Sequence, residues 1–96
     1  MILTPKQRAY LKGLANSIHD RYQFGKGEVD DSFVELIDKA LEAKELIKVG
    51  LLQNAEITAD EVATELVKRL DCGLVQKIGR IIVLFRPSKK HPTIHI

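Results

Sequence analysis

Gly25-Lys26-Gly27 sets a lysine between two glycines, a grouping that can hold an anion. Glycines let a phosphate approach the backbone, and the lysine supplies the charge. Acid follows at once in Glu28, Asp30 and Asp31, and opposes an anion there. A nucleotide P-loop needs G-x-x-x-x-G-K-[ST], which this is not, and the third glycine of a dinucleotide loop is missing. His91 and His95 stand four apart, a metal-like spacing on a helix, but Pro92 lies between them, so they read as a tail without metal. Ser17, Ser32 and Ser88 lack nucleophile-elbow spacing. Cys72 is the single cysteine and reads as a small apolar packing residue at a helix end. A reducing, cytoplasmic setting fits that usage. Carboxylates fall on helix starts and exposed faces, where capping and solubility account for them. The chain therefore reads as a non-enzyme with no cofactor and no small-molecule substrate.

Its 96 residues make one domain, 45% hydrophobic, as in an ordinary soluble protein. "MILTPKQ" has no charged head before a long apolar run, so no signal peptide is expected. No apolar stretch approaches the roughly 20 residues of a membrane helix, so no membrane partner is expected. The net charge of +2 hides a separation. Residues 1–27 carry five bases and one acid, residues 28–71 five bases and twelve acids, and residues 72–96 five bases and no acid. If the two basic ends meet in the fold, they form the electrostatic footprint of a nucleic-acid binder. Solvated helices that happen to be acidic are the equal alternative from charge alone.

The elements that must position these residues are legible from caps and periodicity. Thr4-Pro5-Lys6-Gln7 is a capping box with proline at the first helical position. The helix after it buries Leu11, Leu14, Ala15 and Ile18, with Arg8, Lys12 and Asn16 in a row on another face. Asp30 caps a second helix with the stripe Phe33, Ile37, Ala40 and Leu41. Thr58 and Glu61 box a third, with Val62, Leu66, Val67 and Leu70 inward and Gly73 as its left-handed terminator. Strands are expected at Arg21–Phe24, Leu46–Leu52, Leu74–Ile78 and Ile81–Arg86, with Gly79-Arg80 as a tight hairpin. "IIVLFR" is apolar on both faces and belongs in the middle of the sheet. The order α-β-α-β-α-β-β predicts an α/β (α+β) fold, a four-stranded mixed sheet packed with three helices. Residues 1–88 form the domain, and residues 89–96 a basic, flexible tail.

A basic surface follows from helix one (Lys6, Arg8, Lys12), the loop (Gly25, Lys26, Gly27) and the C-terminal part (Arg80, Arg86, Lys89, Lys90). The start of the second helix adds a positive dipole end beside the loop. Aromatics are few, and Tyr10 and Tyr22 read as core more readily than as stacking platforms. RNA recognition through phosphates and shape is expected. Lys48 reads equally as an RNA contact or as an edge-strand lysine that blocks aggregation. The competing reading is a protein-interaction module, in which Glu35, Asp38, Glu42 and Glu45 contact a basic partner such as a ribosomal protein.

"LTPKQRAYLKGLA", "FGKGEVDDSFVELIDKALEAKELIKV" and "LVQKIGRIIVLFRPSK", in this order, resemble the single-domain YhbY-like proteins of the CRM (chloroplast RNA splicing and ribosome maturation) family, over residues 3–90. The resemblance implies a fold like the C-terminal domain of translation initiation factor three. It also implies RNA binding and association with precursors of the large ribosomal subunit. The family's G-x-x-G loop would start at Gly25, with Lys26 and Gly27 in its middle. Its second glycine falls on Glu28, whose charge near a phosphate would cost on the order of 1 kcal/mol at a solvated site. Asn16 stands where many members have histidine.

Overall fold

The computed structural model describes all 96 residues, in the order α1 (Pro5–Ala15), β1 (Tyr22–Phe24), α2 (Asp31–Lys44), β2 (Leu46–Leu51), α3 (Ala59–Leu70), β3 (Gly73–Ile78) and β4 (Ile81–Phe85). The helices start where their caps dictate. Thr4 Oγ1 accepts from Gln7 N at 3.1 Å while Gln7 Oε1 accepts from Thr4 N at 2.9 Å. Thr58 and Glu61 repeat that exchange at α3. Asp30 Oδ1 accepts from Phe33 N at 2.9 Å at α2. Each cap satisfies donors that a helix start leaves free.

The sheet runs β1-β2-β4-β3. β1 is parallel to β2, and β4 is antiparallel to both its neighbours, so the sheet is mixed as expected. Gly79, at φ 57°, turns the β3–β4 hairpin. Alternation along the strands sends side chains to two separate cores. Ile47, Val49, Leu51, Ile82 and Leu84 meet Phe33, Ile37, Leu41, Val62 and Leu66 of α2 and α3. Leu46, Val83 and Phe85 meet Leu3, Leu11 and Ala15 on the α1 side. β4 is thus central and covered on both faces. Phe24 and Phe33 lock β1 to α2, ring centroids 4.7 Å apart at 60°, worth about 1 kcal/mol beyond burial.

Four positions depart from the sequence reading. The left-handed residue ending α3 is Asp71 (φ 51°, ψ 44°), not Gly73. A short polar side chain tolerates that conformation. Gly73 answers a packing need instead, since a Cβ there would stand 2.8 Å from the Leu3 side chain. Lys48 is not on an edge. β2 lies between β1 and β4, and Lys48 Nζ donates to Ile18 O at 2.8 Å, closing the turn after α1. Arg86, expected on an RNA-facing surface, is buried at 7% exposure. Its Nη1 donates to Asp38 Oδ1 at 2.6 Å and its Nη2 to Asp38 O at 3.1 Å, pinning α2 to the end of β4.

The segment after Pro87 is irregular, as its prolines imply, but it is not detached. Glu45, 2% exposed, ends α2 at φ 67°, ψ −43°, a costly conformation for a non-glycine residue. Its Oε2 accepts from Ser88 N at 2.8 Å, and its Oε1 from Thr93 N at 2.9 Å and Ile94 N at 3.0 Å. Glu42 accepts from Lys89 N at 2.9 Å and Lys90 N at 3.2 Å. Residues 88–94 are therefore a strap laid over the end of α2.

Arg86→Ala removes every donor facing Asp38, but the Asp38 side chain is 47% exposed and water can replace part of the loss. Urea denaturation should show about 2 kcal/mol of destabilisation; an unchanged midpoint would mean that the pair holds nothing. The strap should also respond to acid. The Lys89 amide and the Ser88 hydroxyl hold the Glu42 carboxyl down at about 2, from an ordinary 4.5. Burial pushes Glu45 up, but the donors of Thr93, Ser88 and Ile94 outweigh it and leave its carboxyl lowered. A depressed folded value means stability present above the ordinary value and lost as pH falls through the folded one. Exchange protection of the Lys89 and Lys90 amides, relative to a free peptide at the same pH, should be high at neutral pH and fall between about 4.5 and 2, and that of Thr93 and Ile94 should fall as acid protonates Glu45. Fast exchange of these amides at pH 7 would contradict the strap.

Candidate nucleic-acid interface

The register gives the sheet two ends. Phe24, Leu51 and the Gly79-Arg80 turn mark one, and Leu46, Gly73 and Phe85 the other. Gly25-Lys26-Gly27 lies at the first. Leu3, packed on Gly73, starts α1 at the second, together with the strap. The six residues of β2 separate these ends by about 16 Å. Lys6 and Arg8, in the first turn of α1, therefore do not flank Lys26.

The loop is not a free phosphate cradle. Neither Gly25 nor Gly27 has positive φ, so neither is there for conformational freedom. Both lie against side-chain ends of the segment that follows β2. A Cβ on Gly25 would stand 2.7 Å from Leu52 Cδ1, and one on Gly27 3.3 Å from Glu56 Oε2. Lys26 Nζ sits 2.7 Å from Asp30 Oδ2. Lys26, with the Phe33 amide next in effect, lowers Asp30 to about 2, against an ordinary 3.8. The dipole end of α2 is thus already occupied by Asp30, with Asp31 behind it. Glu28, in place of the second glycine, lines a cavity of about 470 Å³ with Asp60, Glu61 and Glu65. An RNA phosphate meets mostly acid here, with Lys26 at the rim.

Charge sorts by sheet face. α1 carries Lys6, Arg8 and Lys12 and no acid. The sheet face beneath it presents Lys48, Gly50, Gln23, Gln76 and Ile81 by alternation, again with no carboxylate. Arg21 lies along Gly50, its Cδ 3.5 Å from where a Cβ would stand. The acids near this layer are Asp20, in the connection to β1, Asp71, paired with the N-terminal amine at 2.9 Å, and Glu45, buried under the strap. Lys6 and Lys12 are exposed and make no ion pair. Arg8 is half-buried and donates to Leu3 O at 3.2 Å. The opposite layer holds Asp31, Glu35, Asp38 and Glu42 of α2 and Asp60, Glu61 and Glu65 of α3.

The C-terminal bases serve that acidic layer. Lys77 pairs with Asp60 at 2.9 Å, Arg86 with Asp38, and the Lys89 and Lys90 amides bind Glu42. The Lys89 side chain is exposed, but on the strap. Arg80, at the loop end, donates to Leu52 O at 3.3 Å. The acidic partner surface loses its members in the same way. Asp38, Glu42 and Glu45 are committed within the chain, and Glu35 pairs with Lys39 at 3.1 Å. Cys72 is a core residue, its thiol pushed up to about 11 by burial.

One exposed side chain escaped the sequence reading. Tyr10 is 53% exposed and is not core. Its spacing of four from Lys6 puts both on one helix face, a signal that was present in the sequence. Tyr22 does pack on the core, with Lys44 Nζ 5.2 Å from its ring centroid.

Comparison with known proteins agrees with this architecture. The chain is 44% identical over 95 residues, 99% of each chain, to "Probable RNA-binding protein YqeI" of Bacillus subtilis. It is 33% identical to an "RNA-binding protein" of Haemophilus influenzae, over 92% of this chain and 89% of that one. Its fold matches the solution structure of a Staphylococcus aureus protein with a TM-score of 0.71 and 41% identity, over 98% of both chains. The CRS1/YhbY (CRM) domain profile matches residues 3–86. The chain belongs to the CRS1/YhbY (CRM) domain family.

Proposed function

We propose that this protein binds RNA through the layer of its acid-free helix, with α1 at the centre and Lys26 on the rim. One observation carries the reading. The sheet divides the molecule into a face whose helix carries Lys6, Arg8 and Lys12 and no acid, and a face whose two helices carry Asp31, Glu35, Asp38, Glu42, Asp60, Glu61 and Glu65. A polyanion lowers its free energy by releasing counterions against the first face and gains little at the second. Relatives named as RNA-binding proteins support the choice of RNA. Within that reading, the protein is a cytoplasmic accessory factor that associates with precursor RNA of the large ribosomal subunit and carries out no chemical step. Binding would be led by phosphates and shape, and so depend steeply on salt.

A salt series with a structured ribosomal RNA fragment tests the surface. Lys12→Glu combined with Lys26→Glu should weaken binding more than tenfold and lower the log–log salt slope by about two. Unchanged affinity and slope would place the RNA elsewhere. Co-sedimentation with a basic protein that survives nuclease and high salt would favour the interaction-module reading.

Asp30 offers a sharper check on Lys26. Asp30→Ser keeps an oxygen to cap α2 but removes the charge that holds Lys26. The thermal midpoint should move by less than about 2 °C while RNA affinity rises severalfold. A fall in affinity would show that the pair positions Lys26 rather than competing for it.

A further inference from the structure

We infer that a cleft between the first turns of α1 and the end of the strap takes one unpaired nucleotide, with the base against Tyr10 and the phosphate on Lys6. The inference rests on the RNA-binding reading and adds what that reading lacks, a place where a single-stranded base is held.

Three observations converge on the cleft. The chain has five aromatic residues, and Tyr10 alone offers an exposed ring. Phe24, Phe33 and Phe85 are buried, and Tyr22 is half-buried against the core with Lys44 over its ring. A cleft of about 430 Å³ opens beside Tyr10, lined by Thr4, Lys6, Gln7, His95 and Ile96. That volume is in the range of small-ligand sites and is ample for one nucleotide. No carboxylate side chain lines it, whereas the similar cavity beside the loop is lined by four, those of Glu28, Asp60, Glu61 and Glu65. The side chains at the first therefore offer a phosphate the Lys6 ammonium, and those at the second offer it only acid.

The arrangement suits a base rather than an apolar peptide. Lys6 and Tyr10 are one helical turn apart, so ring and ammonium rise from the same face of α1. Lys6 makes no ion pair and is free to meet an anion. Every base has a face that stacks on an aromatic ring, and a base inside a duplex cannot reach one. The opposite wall is not a loose end. Thr93 and Ile94 are tied to Glu45, and Ile94 packs on the α1-side core, which fixes where His95 and Ile96 begin. The cleft therefore exists before RNA arrives.

The test uses the full chain and two fluorescein-labelled probes, a ten-nucleotide single-stranded RNA of mixed sequence and a duplex of the same length. Tyr10→Ala should weaken single-strand binding about tenfold at every salt concentration, leaving the salt slope and the duplex affinity unchanged. Tyr10→Phe keeps the ring and should keep the affinity. Lys6→Ala should lower the single-strand salt slope by about one. Tyr10→Trp adds the only tryptophan of the chain, and its emission should be quenched by the single-stranded probe and not by the duplex. Wild-type affinity in Tyr10→Ala, or an unquenched tryptophan at saturation, would overturn the cleft while leaving the RNA-binding reading intact. Failure of the wild-type chain to bind the single-stranded probe would also overturn the cleft, and failure to bind the structured ribosomal fragment as well would overturn both readings.

Discussion

A carboxylate buried to 2% exposure has to be surrounded by donors, and Glu45 draws all of its donors from the chain's last segment. The constraint is strong because an unpaired buried charge costs several kcal/mol. It forces residues 88–94 back over the end of α2, some 43–49 positions away in sequence. The Glu45 carbonyl also accepts from Arg86 N at 2.9 Å, so one residue fixes both the exit of β4 and the path of the strap. Arg86 is thereby brought against Asp38. The strained backbone of Glu45 is tolerable for the same reason, since the bonds it makes outweigh a cost of about 1–3 kcal/mol.

This fixes where the C-terminal positive charge goes. Read along the sequence, the last 25 residues are purely basic and invite comparison with the basic N-terminal segment. In the fold the end of this segment reaches α1, but two of its bases are drawn to the other side of the sheet. Lys77 and Arg86 pair with Asp60 of α3 and Asp38 of α2, and the strap's backbone amides bind Glu42. The basic surface is left to α1 and the sheet beneath it. The polarity inferred from charge blocks is therefore present, but it is built from one basic end rather than two.

What was legible follows from how local each feature is. The two capping boxes, the Asp30 cap, the order of elements and the central place of β4 depend on spacing within one element, and all appear in the structure. What failed depends on partners distant in sequence. Gly73 looked like a helix terminator because it follows α3, but its neighbour is Leu3. Arg86 looked exposed because nothing near it in sequence is acidic, and Asp38 lies 48 residues away. Lys48 read equally as an RNA contact or an edge lysine, and the edge alternative fails because strand order is set by crossover connections, not by strand composition. Tyr10 was assigned to the core by its residue type, and its spacing of four from Leu14 and Ile18 agrees with that, yet the ring is 53% exposed at the edge of the stripe.

The sheet acts as an electrostatic divider, and distance explains why it works. At physiological salt the Debye length is about 8 Å. Packed layers are spaced by about 10 Å, so a phosphate resting on α1 lies roughly 20 Å from the carboxylates of α2 and α3. At more than two Debye lengths their repulsion is almost fully screened, and the acids can serve solubility and folding without weakening a polyanion's hold. The loop has no such separation. Asp30 touches Lys26, and Glu28 and Glu56 belong to the same few residues of surface. A glycine in place of Glu28 would remove one of those charges and open the backbone. With glutamate there, the loop gives up most of its pull on phosphate, and the helix that carries no acid becomes the stronger electrostatic site.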